Sequence, residues 1–228
     1  KQFNKNLEEL SMSKILISVL AFLVSFSSFS ETPSSKKYVL VVFHGMGSGN
    51  DFKEEDTFSE DLKTAGVTKM YNAGHDVSNG DLKEILKNFE CSNGKQNKPD
   101  LGLIIIGYSW GARVNYEFSK DYLKKCGQKV DRAYMIDGIQ KIVSQFKHAP
   151  VANVCINYYK TTSPIRGRAL EGCENHDLTE VCKDEEGGYG DGMACHGKVL
   201  NAGMELALKD IAHWAGGSAN LDLFIQEI

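Results

Sequence analysis

The feature that most constrains the fold is a serine held between two glycines, where an apolar run meets a helical pattern. The pentapeptide GYSWG at residues 107–111 sets Ser109 between Gly107 and Gly111, directly after the uncharged residues 101–106. A serine that projects from so tight a turn needs small neighbours, because larger side chains would strike the adjacent strand and helix. G-x-S-x-G in this context is typical of a nucleophilic serine. The sequence therefore predicts a strand, a sharp turn and a helix in immediate succession.

Short apolar runs alternate with amphipathic segments along the chain. The runs cover residues 38–43, 101–106, 133–136 and 154–159, with a further short candidate at 67–71. Apolar residues recur at helical spacing in residues 54–64, 81–89 and 110–123. Strands that alternate with helices favour a parallel sheet covered on both faces. We predict an α/β fold with a mostly parallel sheet flanked by helices, in a single compact domain without an obvious lid. Residues 161–197 are predicted to form an irregular segment held by cysteines.

The overall composition excludes several classes of protein. Of 228 residues, 42% are hydrophobic, which supplies enough apolar material for a packed core and excludes a disordered chain. The 26 basic side chains do not exceed the 30 acidic ones. Because phosphate neutralisation requires a basic excess, we expect no nucleic-acid partner.

The start of the chain has the pattern of an export signal. Residues 15–26 carry no charge, follow Lys14, and are succeeded by a small-x-small pattern at Ser28 and Ser30. The run is shorter than the roughly 20 apolar residues of a membrane-spanning helix. A basic start, a short apolar run and a small-residue site are typical of a secretory signal peptide.

The signal divides the chain into two predicted regions. Residues 1–30 comprise the signal and the residues upstream of Met12, its natural initiator, and residues 31–228 form the folded domain. We expect an exported protein, periplasmic or extracellular, with no stable membrane span after signal removal.

The cysteines fit that expectation. All lie after the signal, and an even number in an oxidising compartment favours disulfides, although the sequence does not choose among 15 pairings. The candidates are Cys91, Cys126, Cys155, Cys173, Cys182 and Cys195. A zinc site of the last three cysteines with His196 is the alternative, but the paired C-x-x-C of such sites is absent.

A glycine-rich turn follows the first apolar run. The sequence HGMGSG begins at His44, and no Gly-Lys-Ser follows to bind phosphate. The other use of such a turn is an oxyanion hole, in which backbone N–H groups face a tetrahedral intermediate. We predict that the amides of Met46 and Trp110 form this hole, with Gly45 and Gly47 keeping the turn open, and that His44 has a structural role.

Together, HGMG after a strand, GYSWG at the turn, an acid after the next strand and a late histidine resemble the α/β-hydrolase family, in particular its small lipases and esterases. The resemblance implies a triad in the order serine, acid, base. Asp137 directly follows residues 133–136 and is the predicted acid, with Asp177 and Glu174 as alternatives.

The base is to be chosen among 6 histidines. The family resemblance favours His213, because the family places its base on a loop between the last strand and the last helix. Residues 204–211 are predicted to form a short strand or a helical turn, and the apolar C-terminal segment at residues 221–228, which follows a glycine-rich stretch, is predicted to be the last helix. His196 is the second candidate.

These residues predict a secreted serine hydrolase that cleaves small-molecule or lipid carboxylic esters through an acyl-enzyme, without a metal or organic cofactor. An acyltransferase or thioesterase with the same triad, or an inactive binding module, are the alternatives. The acidic residues 184–191 are interpreted as a solvated loop in preference to a calcium site.

Overall fold

Strands and helices alternate along most of the chain in the computed structural model, which describes residues 36–46, 52–55, 59–141, 144–183 and 192–215. The strands are β1 Lys37–Phe43, β2 Lys53–Glu55, β3 Val67–Ala73, β4 Leu101–Tyr108, β5 Val130–Ile136, β6 Ile139–Lys141, β7 Ser144–Gln145, β8 Ala152–Tyr159 and β9 Glu174–Asp177. The helices are α1 Glu60–Thr64, α2 Asn79–Lys87, α3 Gly111–Cys126 and α4 Gly192–Trp214, and a 3-10 turn spans Thr179–Cys182.

A seven-stranded sheet forms the centre, in the order β2-β3-β1-β4-β5-β8-β9. All neighbouring strands are parallel except β2, which is antiparallel to β3 at the edge. The strands β6 and β7 form a separate small hairpin. The predicted mostly parallel sheet flanked by helices is therefore confirmed.

Helices cover the sheet on both faces, and the alternation along β1 shows how. Tyr38, Leu40 and Val42 pack into one cluster with buried residues of α1 and α4. Val39, Val41 and Phe43 point to the other face and pack with residues of α2 and α3. A strand buried on both faces must be apolar throughout, as the sequence of β1 is.

Three disulfides join the cysteines in pairs: Cys91–Cys126, Cys155–Cys173 and Cys182–Cys195. The disulfide prediction is confirmed. The zinc alternative is wrong, because all of its cysteine sulfurs are already bonded to another sulfur. Among the described residues, no group of His, Cys, Asp and Glu side chains is placed to hold a metal ion.

Two helical predictions differ from the structure. Residues 54 and 55, predicted as the start of a helix over residues 54–64, lie in the edge strand β2, where the side chains of Glu54 and Lys69 pair across the strands at 2.8 Å. The segment from Gly192 onward, predicted as part of an irregular stretch and then a short element, is one 23-residue helix, α4.

Several predictions fall on residues that the structure does not describe. They are the signal peptide and the residues before it, Gly47 of the glycine-rich turn, the acidic residues 184–191 and the final helix at residues 221–228. Of the helices in the described part of the chain, none combines the length and apolar character needed to cross a bilayer.

Candidate active site

The turn between β4 and α3 holds Ser109 in a backbone conformation that side-chain-bearing residues rarely adopt. Its φ is 53°, and its amide donates to the carbonyl of Ile136 on β5 at 3.0 Å, which fixes the turn against the neighbouring strand. Positive φ in a non-glycine residue stores strain that the surroundings must offset, and such strain is concentrated at functional sites.

The two glycines of the pentapeptide permit this turn for steric reasons. A Cβ at Gly107 would lie 2.6 Å from the Cβ of Asn115, and one at Gly111 would lie 2.0 Å from the carbonyl oxygen of Phe43. Both distances are shorter than real Cβ contacts. The glycines therefore allow α3 to begin directly over the sheet, with its N-terminus beneath Ser109. Gly107 lies near the end of β4, and Gly111 is the first residue of α3.

Asp137 lies one residue beyond β5, at the carboxyl edge of the sheet. In α/β folds with a parallel sheet, ligands bind at this edge. Its side chain is fully buried and its φ is 44°. Its amide donates to the carbonyl of Tyr158 at 2.7 Å, and its Oδ1 accepts a short hydrogen bond from the amide of Gly167. These bonds leave Oδ2 facing the serine side of the site.

His196 connects the acid to the serine. Its Nδ1 lies 2.5 Å from Asp137 Oδ2, and its Nε2 lies 3.0 Å from Ser109 Oγ. Because an ionised carboxylate can only accept, Nδ1 carries the proton and donates it, and Nε2 is left to accept the serine hydroxyl proton. All three side chains are buried, with Ser109 and His196 retaining only 5% and 4% exposure.

His213, the base that the sequence favours, does not lie at this site. It is an exposed residue in the last turn of α4, and 17 residues of helix separate it from His196, a rise of about 25 Å. His213 was favoured on the assumption that it sits in a loop between a last strand and a last helix. The continuous helix α4 removes that loop, and its first turns carry His196 to Ser109 instead.

The remaining histidines have other partners. His44 follows β1 and pairs through Nε2 with Asn72 Oδ1 at 3.1 Å, in keeping with a structural role. The ring of His75 meets that of Trp110 edge-on, with centroids 5.0 Å apart. His148 stacks on Tyr116, and the exposed His176 pairs with Glu174.

The alternative acids are occupied away from the triad. Glu174 forms the pair with His176 on the edge strand β9, at 3.0 Å. Asp177, at the end of that strand, accepts hydrogen bonds from the amide and hydroxyl of Thr179. Asp137 is the acid that the structure joins to a histidine and to Ser109.

The predicted oxyanion donors flank the serine. Gly45 packs so closely on Ser109 that a Cβ there would lie 2.7 Å from the serine Cβ and 3.1 Å from its Oγ. Met46 follows Gly45 in the chain, with an exposed side chain. Trp110 is the N-cap of α3, where the first helical amides have no partner within the helix.

Two residues of the site were not predicted from the sequence. Gly167, which donates to Asp137, lies in a segment without periodicity. Lys160 directly follows β8, is fully buried, and places its Nζ 3.8 Å from Asp137 Oδ2. A lone lysine at the end of an apolar run is the feature that could have drawn attention to it.

Comparison with known proteins gives a distant structural similarity. No protein family profile matches the sequence, and no curated protein matches it. A solved structure, described as a novel cutinase-like protein from Cryptococcus sp., is similar at 15% sequence identity and a TM-score of 0.39, covering 82% of this chain and 100% of that one. The chemistry proposed below rests on the geometry of the site.

Proposed function

We propose that this protein is a serine hydrolase of carboxylic esters, with Ser109 as nucleophile, His196 as general base and Asp137 as the acid that orients it. The observation that carries the proposal is the continuous hydrogen-bonded chain from Ser109 Oγ through the imidazole to Asp137 Oδ2, at a serine with positive φ. A nucleophile, a base within hydrogen-bond reach and a third group that orients the base together define an activated serine.

In the first half of the reaction, Ser109 Oγ attacks the ester carbonyl carbon while His196 Nε2 takes the hydroxyl proton. The amides of Met46 and Trp110 are the proposed donors to the oxyanion, and losing one such donor typically costs about 3 kcal/mol of transition-state stabilisation. The C–O bond to the alcohol then breaks, and the imidazolium returns its proton to the leaving alkoxide.

In the second half, water attacks the acyl-enzyme and gives its proton to His196. The tetrahedral intermediate collapses, the bond to Ser109 Oγ breaks, His196 returns its proton to that oxygen, and the carboxylic acid product leaves. Asp137 remains ionised and hydrogen-bonded to Nδ1 throughout, so it stabilises each imidazolium that forms.

An inactive binding module is the less favoured function, because no binding role requires a strained serine aligned with a buried histidine and carboxylate. Export is proposed as well, since three disulfides persist only in an oxidising compartment. The signal peptide with its upstream residues, at residues 1–30, and the domain of residues 31–228 remain predictions of the sequence.

Ester turnover by three variants tests the function and the identity of the base. With p-nitrophenyl acetate and longer acyl esters, Ser109→Ala and His196→Gln are each expected to reduce kcat at least about 1,000-fold. His213→Gln is the matched control, since it makes the same change on the same helix at an exposed position, and it should stay within about twofold of wild type. Unchanged turnover in Ser109→Ala would contradict the proposed function.

A further inference from the structure

A lysine with no solvent exposure lies against the acid of the proposed triad. Lys160 follows the last residue of β8 and is 0% exposed, as is Asp137. Its Nζ lies 3.8 Å from Asp137 Oδ2, the same oxygen that receives His196 Nδ1. A charged lysine is almost never fully buried without partners, because removing the ammonium from water is costly.

The three ammonium protons are directed at acceptors other than the carboxylate. Nζ donates to Ser163 Oγ at 3.1 Å, to the carbonyl of Gly192 at 3.2 Å and to Cys195 Sγ at 3.2 Å. An ammonium has three donors, so these bonds use all of them. Asp137 Oδ2 therefore feels the positive charge of Lys160 without a hydrogen bond from it, and its acceptor site remains available to His196.

Two of these acceptors lie in the first turn of α4, directly before the base. Gly192 begins the helix, and Cys195 precedes His196 in the chain. Lys160 thus joins the end of β8 to the helical turn that presents the imidazole, and the carboxylate lies between them.

We propose that Lys160 is a positioning residue of the triad, which anchors the turn carrying His196 and supplies the buried positive charge that balances Asp137. The proposal rests on the proposed function, in which neutral His196 is the base. A nearby cation disfavours a second positive charge, so the field of Lys160 opposes protonation of His196 while it balances the ionised Asp137.

The other groups at the site are consistent with this assignment. Two titratable side chains lie against His196 and Asp137. Lys160 at the end of β8 pairs with Asp137, and Tyr108 at the end of β4 places its ring centroid 4.9 Å from that of His196. Burial, with the charge of Asp137, raises the pKa of Tyr108, so this phenol stays neutral over the working range. Burial lowers the pKa of Lys160, and the charge of Asp137 opposes that change.

The test is Lys160→Met, which removes the positive charge and keeps an unbranched side chain of similar length. The pH dependence of kcat/KM is measured for this variant and for wild type. The acid limb of the profile is expected to move up by about one pH unit, with a loss of about tenfold or more in kcat at the optimum. A purely structural role would lower the whole profile without moving its limb. Lys198→Met is the matched control, because it removes an exposed lysine from the same helix, two residues beyond His196.

The titration of His196 followed by NMR gives a second readout that needs no substrate, with the resonance assigned from its loss in His196→Gln. Its midpoint should rise in Lys160→Met and stay at the wild-type value in Lys198→Met. An unmoved midpoint in Lys160→Met would overturn the inference. Wild type that neither turns over esters nor reacts at Ser109 would overturn the proposed function, while the titration still decides the role of Lys160.

Lys160→Met leaves a buried carboxylate without its counter-charge, which is strongly destabilising. Should it fail to fold, the double variant with Asp137→Asn removes both charges. Recovery of the fold in the double variant would support the charge balance between Lys160 and Asp137. If neither the single nor the double variant folds, the charge balance between Lys160 and Asp137 is contradicted. Lys160 would then support the fold through the hydrogen bonds of its ammonium group and not through its charge.

Discussion

The contact between α3 and β1 makes a quantitative prediction for Gly111→Ala. A Cβ at this position would lie 2.0 Å from the carbonyl oxygen of Phe43 and 2.5 Å from its carbonyl carbon. Since real Cβ atoms essentially never approach closer than 3.0 Å, helix and strand must separate by about 1 Å. The strand β1 cannot yield easily, because it is paired on both sides, with β3 and β4.

Overpacking of a core usually lowers the free energy of unfolding by about 1–3 kcal/mol. A clash with the backbone of a central strand should give a loss near the upper end of that range, because a strand held on both sides cannot move away. We expect Gly111→Ala to lower the free energy of unfolding by about 3 kcal/mol or more. In a domain of this size, about 2–4 °C of melting temperature corresponds to each kcal/mol, so Tm should fall by about 6–12 °C.

Thermal and denaturant unfolding with the disulfides intact measure this loss, and Gly197→Ala is the matched control. Gly197 lies within α4, and a Cβ there would meet no atom within 4 Å. Alanine is favoured over glycine in a helix by about 1 kcal/mol, so this variant should be more stable than wild type. Gly111→Ala with wild-type stability would refute the close packing of α3 on β1.

Three further predictions follow from the described contacts. Gly45→Ala places a Cβ 2.7 Å from that of Ser109, so kcat for esters should fall by about 100-fold through displacement of the nucleophile, and wild-type kcat would contradict the site geometry. Reduction of the Cys182–Cys195 disulfide should lower the free energy of unfolding by about 3 kcal/mol. It should also abolish turnover, because His196 directly follows Cys195 in the chain. A thiol assay that finds all 6 cysteines free in active native protein would contradict both expected effects. Burial raises the pKa of three core tyrosines above the unfolded value of 10.0. The free energy of unfolding should therefore keep their full contribution below pH 10 and fall above it, by about 1.4 kcal/mol per pH unit for each tyrosine. Unfolding measured from pH 9 to 12 checks this, and a free energy that does not change with pH would contradict it. These tyrosines are Tyr122, Tyr134 and Tyr158.

The parts of the fold that the sequence predicts well are those set by local rules. A strand covered on both faces must be apolar throughout, so a short continuous apolar run predicts a central strand of the sheet. The serine turn was predicted because the pentapeptide at residues 107–111 contains both the serine and the two glycines that such a turn requires. Asp137 was predicted because carboxyl ends of parallel strands share one edge, and that rule needs only the position of β5.

The histidine could not be chosen from the sequence because its placement depends on a helix stabilised by tertiary packing. The helix α4 contains glycines that lower its intrinsic helical propensity. One of them is Gly203, where a Cβ would lie 2.7 Å from Ile136 Cγ2 and 3.3 Å from Tyr158 Cβ. Close contact with the sheet, not propensity, holds this helix continuous from Gly192 to Trp214. Only with the helix continuous is His196 brought to Ser109 and His213 carried away from it.

The role of Lys160 was beyond sequence reasoning for a similar reason. The partners of Lys160 lie on separate segments of the chain, and no local sequence pattern predicts that these segments meet around its ammonium group. The pairing with Asp137 spans two strands of the sheet, and the bond to Cys195 requires both the disulfide and the first turn of α4 to be in place.

Labelling by a fluorophosphonate probe tests the central claim most directly, because only an activated serine attacks phosphorus and displaces fluoride. We predict a single adduct at Ser109 in wild type and in His213→Gln, identified by mass spectrometry of the digested protein. His196→Gln should react at least about 100-fold more slowly. Rapid labelling of His196→Gln together with loss of labelling in His213→Gln would contradict the assigned base, and an unreactive Ser109 in the folded wild-type protein would contradict the triad itself.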